Sequence, residues 1–374
     1  MGKPMLRFQS RDQLRLSFDE ITEADARYLN YRIVHCNADG TPSDMQEIQY
    51  LEGGYNNSID DIRFSLNTYT SYSHYELLFP DENTTLKLSG NYRVEVFDAN
   101  NAEEVLLSAP FMVYEEQLID LNGSSILPKR VEYRRTKQEF NFTIQTLPPF
   151  EIIQPYQNLQ VFVQQNGDQT NIRSVQPHYV VGNTLTFSDS DELLFDGANE
   201  YRNFDLRPSN LQGSGVDNVF VVDDEVHVQL YPFLPRPTQA YTSGEDINGH
   251  YVVEVTHNPN PPIEANYAHV DFQLQTRSVE RTGAVYVYGE LTHWTLNDDG
   301  RMHYNMEHSA YETSLFLKQG FYDFMFVYVP HNDATPDFSY YEGNHTLTKN
   351  TYTVYVYYRS NADGYDRLIG FKTL

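Results

Sequence analysis

Short stretches in which apolar and polar residues alternate recur along the whole chain. The runs from Tyr28 to Cys36, from Leu159 to Gln165 and from Tyr322 to Val329 are examples, rich in aromatic and β-branched side chains. Alternation with a period of two is typical of β-strands that bury one face. No stretch of about 12 residues combines a helical apolar period with capping residues, so helices are expected only as short connectors. The predicted fold class is all-β.

Two breaks in the strand pattern divide the chain into three blocks. Between Glu115 and Lys137 the alternation stops, and Asn122-Gly123-Ser124-Ser125 followed by Pro128 indicates a boundary there. Further on, Pro259-Asn260-Pro261-Pro262 is typical of a stiff linker. The spacing of strands and turns therefore predicts three β-sandwich, immunoglobulin-like domains in series, at residues 1–116, 117–258 and 259–374.

The length of the chain supports a division into several domains, and its charge argues against nucleic acid as a partner. A chain of 374 residues is too long for one ordinary core. Its 26 Lys and Arg residues against 52 Asp and Glu residues give a formal net charge of -26. Such a charge repels phosphate backbones and anionic lipid surfaces, so nucleic acid is not an expected partner. No apolar run approaches the roughly 18 to 20 residues that span a bilayer, so direct membrane insertion is not expected either.

The single cysteine, Cys36, cannot form a disulfide within the chain. Its neighbour His35 suggests a catalytic dyad, but successive side chains of a strand point to opposite faces. The two side chains are therefore unable to form the pair that a nucleophilic cysteine needs. We expect Cys36 to be a small buried apolar group.

Other patterns of catalytic or metal-binding residues are incomplete. The 12 histidines are scattered without the spacing of a zinc site. Acidic groups such as Asp189-Ser190-Asp191-Glu192 and Asp223-Asp224-Glu225 lack the glycine and distal glutamate of a calcium loop, which favours solvated turns. Gly213-Ser214-Gly215 lacks the spacing of a nucleophile elbow. We expect no catalytic residue, no cofactor and no metal site, and therefore no enzyme.

Several motifs, spread over nearly the whole chain, occur in the order known from one family. They are Tyr28-Leu29-Asn30-Tyr31-Arg32-Ile33-Val34-His35-Cys36, Leu88-Ser89-Gly90-Asn91-Tyr92, Asn199-Glu200-Tyr201-Arg202, Asp246-Ile247-Asn248-Gly249, Glu342-Gly343-Asn344-His345 and Tyr365-Asp366-Arg367-Leu368-Ile369-Gly370-Phe371. With these motifs the chain resembles the plug proteins of the Bacteroidota type IX secretion system. The resemblance implies a periplasmic protein without catalytic activity. It would bind the large outer-membrane β-barrel translocon and occlude its periplasmic opening when the barrel is not engaged in transport.

The last block carries a second resemblance. Its segments 285–294 and 317–324 are similar to immunoglobulin-like starch- and glycogen-binding modules, in which sugar rings stack on exposed tryptophans. Trp294 is the only tryptophan of the chain, so a grip made by two tryptophans is excluded. A packed tryptophan is the alternative. The corresponding alternative function is a carbohydrate-binding module protein or an accessory part of a polysaccharide-processing system, although carbohydrate is not the expected partner.

Three residues are candidates for binding a partner. Trp294 is the candidate for sugar stacking. Asp366 and Arg367, in the closing motif, are candidates for contact with a protein. The alternative for Asp366 and Arg367 is a local ion pair that pins the last strand.

Overall fold

The computed structural model describes residues 4–22, 25–54, 57–81, 84–257, 260–276, 279–332, 335–360 and 362–374. Strand accounts for 49% of the structure and helix for 7%. The helices α1 to α4, whose bounds follow below, are single turns of four residues each. The all-β prediction and the expectation of short connecting helices are thus confirmed.

The first sandwich is built from residues 4–116. Its elements are β1 (Met5–Arg7), β2 (Leu14–Ile21), β3 (Leu29–Cys36), α1 (Glu47–Tyr50), β4 (Leu51–Glu52), β5 (Asn57–Ser58), β6 (Asp61–Phe64), β7 (Tyr72–Phe79), β8 (Thr85–Leu86), β9 (Gly90–Asp98) and β10 (Asn101–Tyr114). One sheet has the order β1-β10-β9-β3-β5, and the facing sheet has the order β2-β7-β6. Their inward-facing side chains, among them Tyr31, Tyr75 and Val94, form one apolar core.

Residues 117–198 supply the first strands of the middle sandwich. The elements are β11 (Ile119–Ile126), β12 (Lys137–Thr146), α2 (Pro155–Asn158), β13 (Leu159–Gln165), β14 (Ile172–Val175), β15 (Tyr179–Val181), β16 (Thr184–Phe187) and β17 (Leu194–Asp196), with 3-10 helices at Val131–Tyr133 and Asp191–Leu193. One sheet has the order β11-β12-β16-β15, and β17 also pairs with β12. This sheet covers only one side of its core.

The third unit is built from residues 199–345. Its elements are β18 (Arg202–Asp205), β19 (Val216–Val222), β20 (Glu225–Leu230), β21 (Tyr251–Val253), α3 (Pro261–Glu264), β22 (Tyr267–Gln275), β23 (Gly283–Tyr288), β24 (Arg301–Asn305), β25 (Ala310–Lys318), β26 (Gly320–Pro330) and α4 (Ser339–Glu342), with a 3-10 helix at Glu290–Thr292. The strands form one sheet in the order β18-β26-β23-β24-β25-β22-β20-β19, and β21 pairs with β26. The sheet curls round one core, since the strands at its two ends, β18 and β19, contribute to it through Phe204 and Val216.

The last two strands, β27 (Tyr352–Tyr358) and β28 (Arg367–Thr373), return to the middle sandwich. Strand β27 pairs antiparallel with β13 over its whole length. The resulting sheet, in the order β14-β13-β27-β28, closes the side of the core that the first sheet leaves open. Phe140, Val163 and Val354, all fully buried, meet between the two sheets.

The sheets cross the predicted division into residues 117–258 and 259–374. The boundary itself, between residues 258 and 259, lies outside the described residues. Strands β18 and β21, from the predicted middle block, pair with β26 of the last block, and β27 pairs back with β13. We propose that the middle domain is discontinuous, with residues 117–198 and 346–374 on either side of an inserted third domain, residues 199–345. Alternation along the chain shows where strands are, but it carries no information about which distant strands pair.

The break predicted between the first two blocks is partly a strand. Residues Ile119–Ile126 form β11, which includes the turn-like residues 122–125 and pairs with β12 over its length. Because β11 is an edge strand that buries little of its surface, its polar residues and Gly123 interrupt the apolar alternation. A strand therefore continues through residues 122–125, where the sequence pattern suggested a break. The predicted boundary near residue 116 falls between the end of β10 and the start of β11.

The return of the last strands can be tested with Val354→Ala. Val354 is fully buried in the middle core, so the substitution should lower the free energy of unfolding by about 2 kcal/mol. Hydrogen exchange followed by mass spectrometry should show faster exchange in residues 159–165, the pairing partners of β27.

Val181→Ala is the matched control, because Val181 lies in the same sandwich but is 68% exposed. It should change the free energy of unfolding by less than about 0.5 kcal/mol. Val354→Ala could instead accelerate hydrogen exchange in residues 267–330 and leave hydrogen exchange in residues 159–165 unchanged. That result would contradict the pairing of β27 with β13.

Candidate functional site

The closing motif lies between the first and the middle sandwich. Arg367, at the start of β28, donates from Nε to Oε1 of Glu115 at 2.9 Å and from Nη2 to Oε2 at 2.7 Å. Asp366 is 3% exposed and accepts from the backbone N–H of Ala38 at 2.9 Å and from the side-chain amide of Gln160 at 3.3 Å. Within the described residues, Asp366 and Arg367 do not pair with each other. Each makes a local ion pair of its own, with Arg359 at 3.5 Å and with Asp363 at 3.4 Å, and each also bonds to a segment that is distant in sequence.

The motif around Asn91 joins the same two sandwiches. Its Nδ2 donates to the backbone oxygens of Asn37 and Ala38, at 3.0 and 3.1 Å. Its Oδ1 accepts from the hydroxyl of Tyr357, in β27, at 2.7 Å. One buried amide thus ties the first-domain turn at residues 37–38 to the middle sandwich, and all of its hydrogen-bonding groups have partners.

His35 and Cys36 lie behind this contact. His35 is 1% exposed, its Nδ1 lies 2.8 Å from Oγ of Ser43, and its ring meets Tyr365 edge-on at 5.6 Å between centroids. Burial lowers the pKa of His35 to about 4. Burial also raises the pKa of the Cys36 thiol, which is 2% exposed. The expected burial of Cys36 is confirmed, and its environment favours the unreactive thiol.

Gly90 explains how closely the two sandwiches approach. Its φ of 124° lies in the region that favours glycine, and a Cβ at this position would stand 2.7 Å from the carbonyl oxygen of Asp366. A larger residue would push the backbone of residue 366 away from the first sandwich. The glycine of this motif is therefore required by the domain contact.

A second contact joins the first and third sandwiches. Asp19 accepts hydrogen bonds from Lys318 and from the hydroxyl of Tyr267, the latter at 2.7 Å, and its other carboxylate oxygen lies 2.6 Å from Nδ1 of His74. Burial raises the pKa of Asp19, but the bonds from His74 and Lys318 outweigh it and leave the pKa below its ordinary value. The hydroxyl of Tyr72 adds a bond to the carbonyl of residue 265 at 3.0 Å.

A third contact, between the middle and third sandwiches, surrounds a cleft of about 550 Å³. Asp168, Asn171, Arg173 and Asn344 are among its polar lining residues. Burial raises the pKa of Asp168, which accepts from the hydroxyl of Tyr288 in the third sandwich at 2.5 Å. The cleft thus has a mixed polar and apolar lining, and the two sandwiches on its sides are bonded to each other.

Trp294 lies beneath this cleft and does not line it. The indole is 7% exposed and meets Tyr288 and His250 edge-on, at 5.6 and 5.5 Å between centroids. A Cβ at Gly249 would stand 2.6 Å from the ring. The packed ring presents no open face to a sugar, and the structure does not bring Trp294 together with Asp366 or Arg367.

Inside the third sandwich, the motifs around residues 200 and 342 form one buried ionic cluster. Glu342 is fully buried. Its carboxylate accepts hydrogen bonds from Nε of Arg202 at 2.9 Å and from Nε of Arg236 at 2.5 Å. Burial raises the pKa of Glu342, but Arg202 and Arg236 outweigh it and hold the pKa below its ordinary range. Removing either arginine would leave charge buried without a full set of partners, so the cluster specifies the packing of α4 on the sheet.

Asp323 is a buried acid that forms no ion pair with the residues that the structure describes. Its Oδ2 accepts from the backbone N–H groups of Ile247 and Gly249, at 2.5 and 3.3 Å, and its Oδ1 has no hydrogen-bond partner within the described part of the chain. Burial raises the pKa of Asp323 to about 7, and the nearby charge of Asp246 adds to the shift. This carboxyl holds the loop of residues 246–249 over Trp294.

Sequence reasoning missed the residues that make the domain contacts, above all Asp19, Glu115 and Lys318. The available signal was an acid or a lysine placed inside an apolar strand pattern, as in Tyr322-Asp323-Phe324. Such a position predicts a buried charge but does not identify its partner.

Within the ranges that the structure describes, no three or more His, Cys, Asp or Glu side chains are grouped so as to hold a metal ion. In those same ranges no helix is long and apolar enough to cross a membrane.

The three contacts described above hold the three sandwiches in one body, in which each sandwich touches the other two.

Comparisons with known proteins gave two findings. The family model described as "Type 9 secretion system plug protein 1st domain" matches residues 1–115. The crystal structure of a hypothetical protein from Parabacteroides merdae ATCC 43184, at 2.30 Å resolution, is similar over 100% of this chain and 93% of that chain, with 30% sequence identity and a TM-score of 0.94. A search of curated proteins gave no match.

Arg367→Met should loosen the contact between the first and middle sandwiches. Loss of the two bonds to Glu115 should cost about 2 kcal/mol, because a mostly buried carboxylate loses its charged partner and keeps only the bond from the hydroxyl of Ser89. The backbone N–H of Glu115 donates to the carbonyl of Leu368 at 2.9 Å, so its hydrogen exchange should accelerate by about thirtyfold.

Arg7→Met provides the control, since the pair of Arg7 with Glu116 is exposed and 3.5 Å long. Exchange at Glu115 should change by less than about twofold in this variant. Equal effects of the two substitutions would show that the Arg367 contact does not hold the sandwiches together.

Asp323→Asn should stabilise the protein increasingly as the pH rises. The folded pKa of about 7 exceeds the ordinary value of 3.8, so the folded state binds this proton more tightly than the unfolded state. The contribution of Asp323 to stability is therefore complete below pH 4 and is lost as the pH rises towards 7. The difference in unfolding free energy between variant and wild type, measured in urea from pH 4 to pH 8, should grow in favour of Asn and level off above pH 7. A difference that is independent of pH contradicts the assignment.

Proposed function

We propose that this chain, which belongs to the plug protein family of the type IX secretion system, closes the periplasmic opening of the outer-membrane translocon. In this proposal it binds the large translocon β-barrel from the periplasm while the barrel is not engaged in transport. The protein has a role in type IX secretion through its family, and the occlusion of the pore is the step that we add.

The observation that carries the proposal is the match of residues 1–115 to the first domain of plug proteins. The ordered motifs are consistent with it, because those of the first and last blocks meet at one domain contact. Asn91 and Asp366, for example, both bond to Ala38. These residues therefore join the first and middle sandwiches.

The shape of the protein supports a steric mechanism. A stopper has to resist deformation, and the structure joins its sandwiches through buried hydrogen bonds and ion pairs at three separate contacts. A body held at three contacts does not hinge easily about any one of them. Release would then require a ligand that favours the unplugged state of the translocon, such as cargo or a shuttle subunit.

The charge of the protein is compatible with this position. A formal net charge of -26 keeps the chain from adsorbing to anionic lipid, so membrane association would come through the translocon. The proposal therefore places the protein in the periplasm as a peripheral partner of the barrel, without its own insertion into the bilayer.

The carbohydrate-binding alternative is not favoured by any observation on Trp294. Its ring is packed between Tyr288 and His250 under the loop of residue 249. A sugar-binding platform requires an aromatic face that is open to solvent.

Deleting the gene should test the occlusion. If the protein closes a wide pore, the deletion strain should become sensitive to bulky antibiotics that ordinary porins exclude. The measurement is the minimal inhibitory concentration of such an antibiotic, and we expect a decrease of at least fourfold. A variant with Val181→Ala, a surface change in the middle sandwich, should restore the barrier as well as the wild-type gene does.

Deleting the translocon in the same strain is the decisive control. The barrier should return, because no pore is left to plug. A defect that persists without the translocon indicates a general envelope lesion, and normal permeability in the single deletion contradicts the plug.

A further inference from the structure

Strand β19 forms one end of the curled sheet of the third domain. Along its length it pairs with β20, and no other strand in the described part of the chain pairs with it. The connection from β18 closes part of this edge at residues 213–215, where the backbone of Ser214 accepts from Asp205 at 2.9 Å. Beyond that point, from residue 217 onward, no strand of the described ranges pairs with the outer side of β19, which is an open sheet edge there.

The turn that follows β19 determines which backbone groups face this edge. Asp223 and Asp224 both have positive φ, 49° and 67°, as in the two-residue hairpin turn of type I′. In such a hairpin the pair that closes the turn, here Val222 with Glu225, is hydrogen-bonded, and the next pair is not. The N–H and C=O groups of Val221, and by the same alternation of Val219, therefore point away from β20.

The side chains of the open edge are apolar on both faces of the sheet. Val219 packs partly against the core of the third domain, and Val221 follows it on the same face with 61% of its surface exposed. On the other face, Phe220 stacks on His227 at 5.4 Å, and Val222 is 46% exposed. An added strand would cover Val221 and extend both faces.

Three other edge strands of the described sheets, β2, β6 and β15, carry features that disfavour strand addition. Strand β2 has the charged residues Arg15, Asp19 and Glu20, and β6 has Asp61 and Arg63. Strand β15 is apolar but only three residues long. Strand β19 has four consecutive apolar residues without lysine or proline, which is the kind of edge that pairs with another chain.

Acidic residues flank the edge at both ends, with Asp217 on one side and Asp223 and Asp224 on the other, all exposed. We propose that β19 is the docking edge for an extended segment of the translocon, which adds to the sheet as a further strand. The segment would carry β-branched residues opposite residues 219–222 and a lysine or arginine near the acidic turn. This inference rests on the proposed function and names the surface through which the plug binds.

Two substitutions at one position test the edge in the full-length protein. Val221→Lys places a charge where the added strand would lie. Val221→Pro removes an N–H that the pairing with β20 does not use, and proline is tolerated at such edge positions. Thermal unfolding of each variant checks that the fold is kept. If Val221→Lys is unstable, Val221→Pro alone is used to test the edge.

Val181→Lys is the matched control. Val181 is also a valine on an edge strand, in the middle sandwich, and is 68% exposed against 61% for Val221. The measurement is the amount of translocon barrel that co-purifies with each tagged variant from solubilised outer membranes. We expect at least a tenfold loss for both Val221 variants and no change for Val181→Lys. In the wild-type complex, the amides of Val219 and Val221 should become protected from hydrogen exchange.

Each other outcome has a distinct meaning. If wild type and all variants capture the barrel equally, the docking edge is refuted while the proposed function stands. If wild type itself captures no barrel, the proposed function fails, and the partner named for β19 fails with it. If wild type forms a dimer that Val221→Lys dissociates, and both Val221 variants still capture the barrel, the edge binds a second copy and the proposal is refuted.

Discussion

Strand β27 lies between β13 and β28, so the end of the chain completes a sheet that begins before the third domain. This pairing fixes both ends of the inserted domain on one sandwich. It also brings the residues just before β28 to the first sandwich, where Arg367 meets Glu115. The contacts that involve the closing motif depend on this one return of the chain. Without it, residues 365–371 would have no defined place against the first sandwich.

Buried charges make the arrangement specific. Asp19 with Lys318, Glu115 with Arg367 and the Asp168 carboxyl with Tyr288 each join two different sandwiches. Apolar contacts tolerate small shifts, whereas a buried charge loses several bonds at once when its partner moves. Such groups contribute less to total stability than to the choice of one arrangement among many. A protein that acts by its shape has a direct use for that selectivity.

Much of the fold could be predicted from local pattern, and the rest could not for a physical reason. The run from Tyr28 to Cys36 is strand β3 because its alternation reports burial of one face. Pairing of β27 with β13 is not visible in either strand, since many apolar strands would fit equally well. Burial of Cys36 followed from its strand, but the bond of Asp366 to Ala38 depends on how two domains meet. The sequence therefore showed which motifs form the site, but it did not show which of their residues contact each other.

Joined at these contacts, the three sandwiches should behave as one rigid body. Pulsed electron resonance distances between spin labels at Tyr28, Val131 and Met306, exposed residues of the first, middle and third sandwiches, measure this directly. The buried Cys36 should not compete for the label. One narrow distance distribution is expected for each of the three label pairs. A broad or bimodal distribution for any of the three would contradict the rigid body.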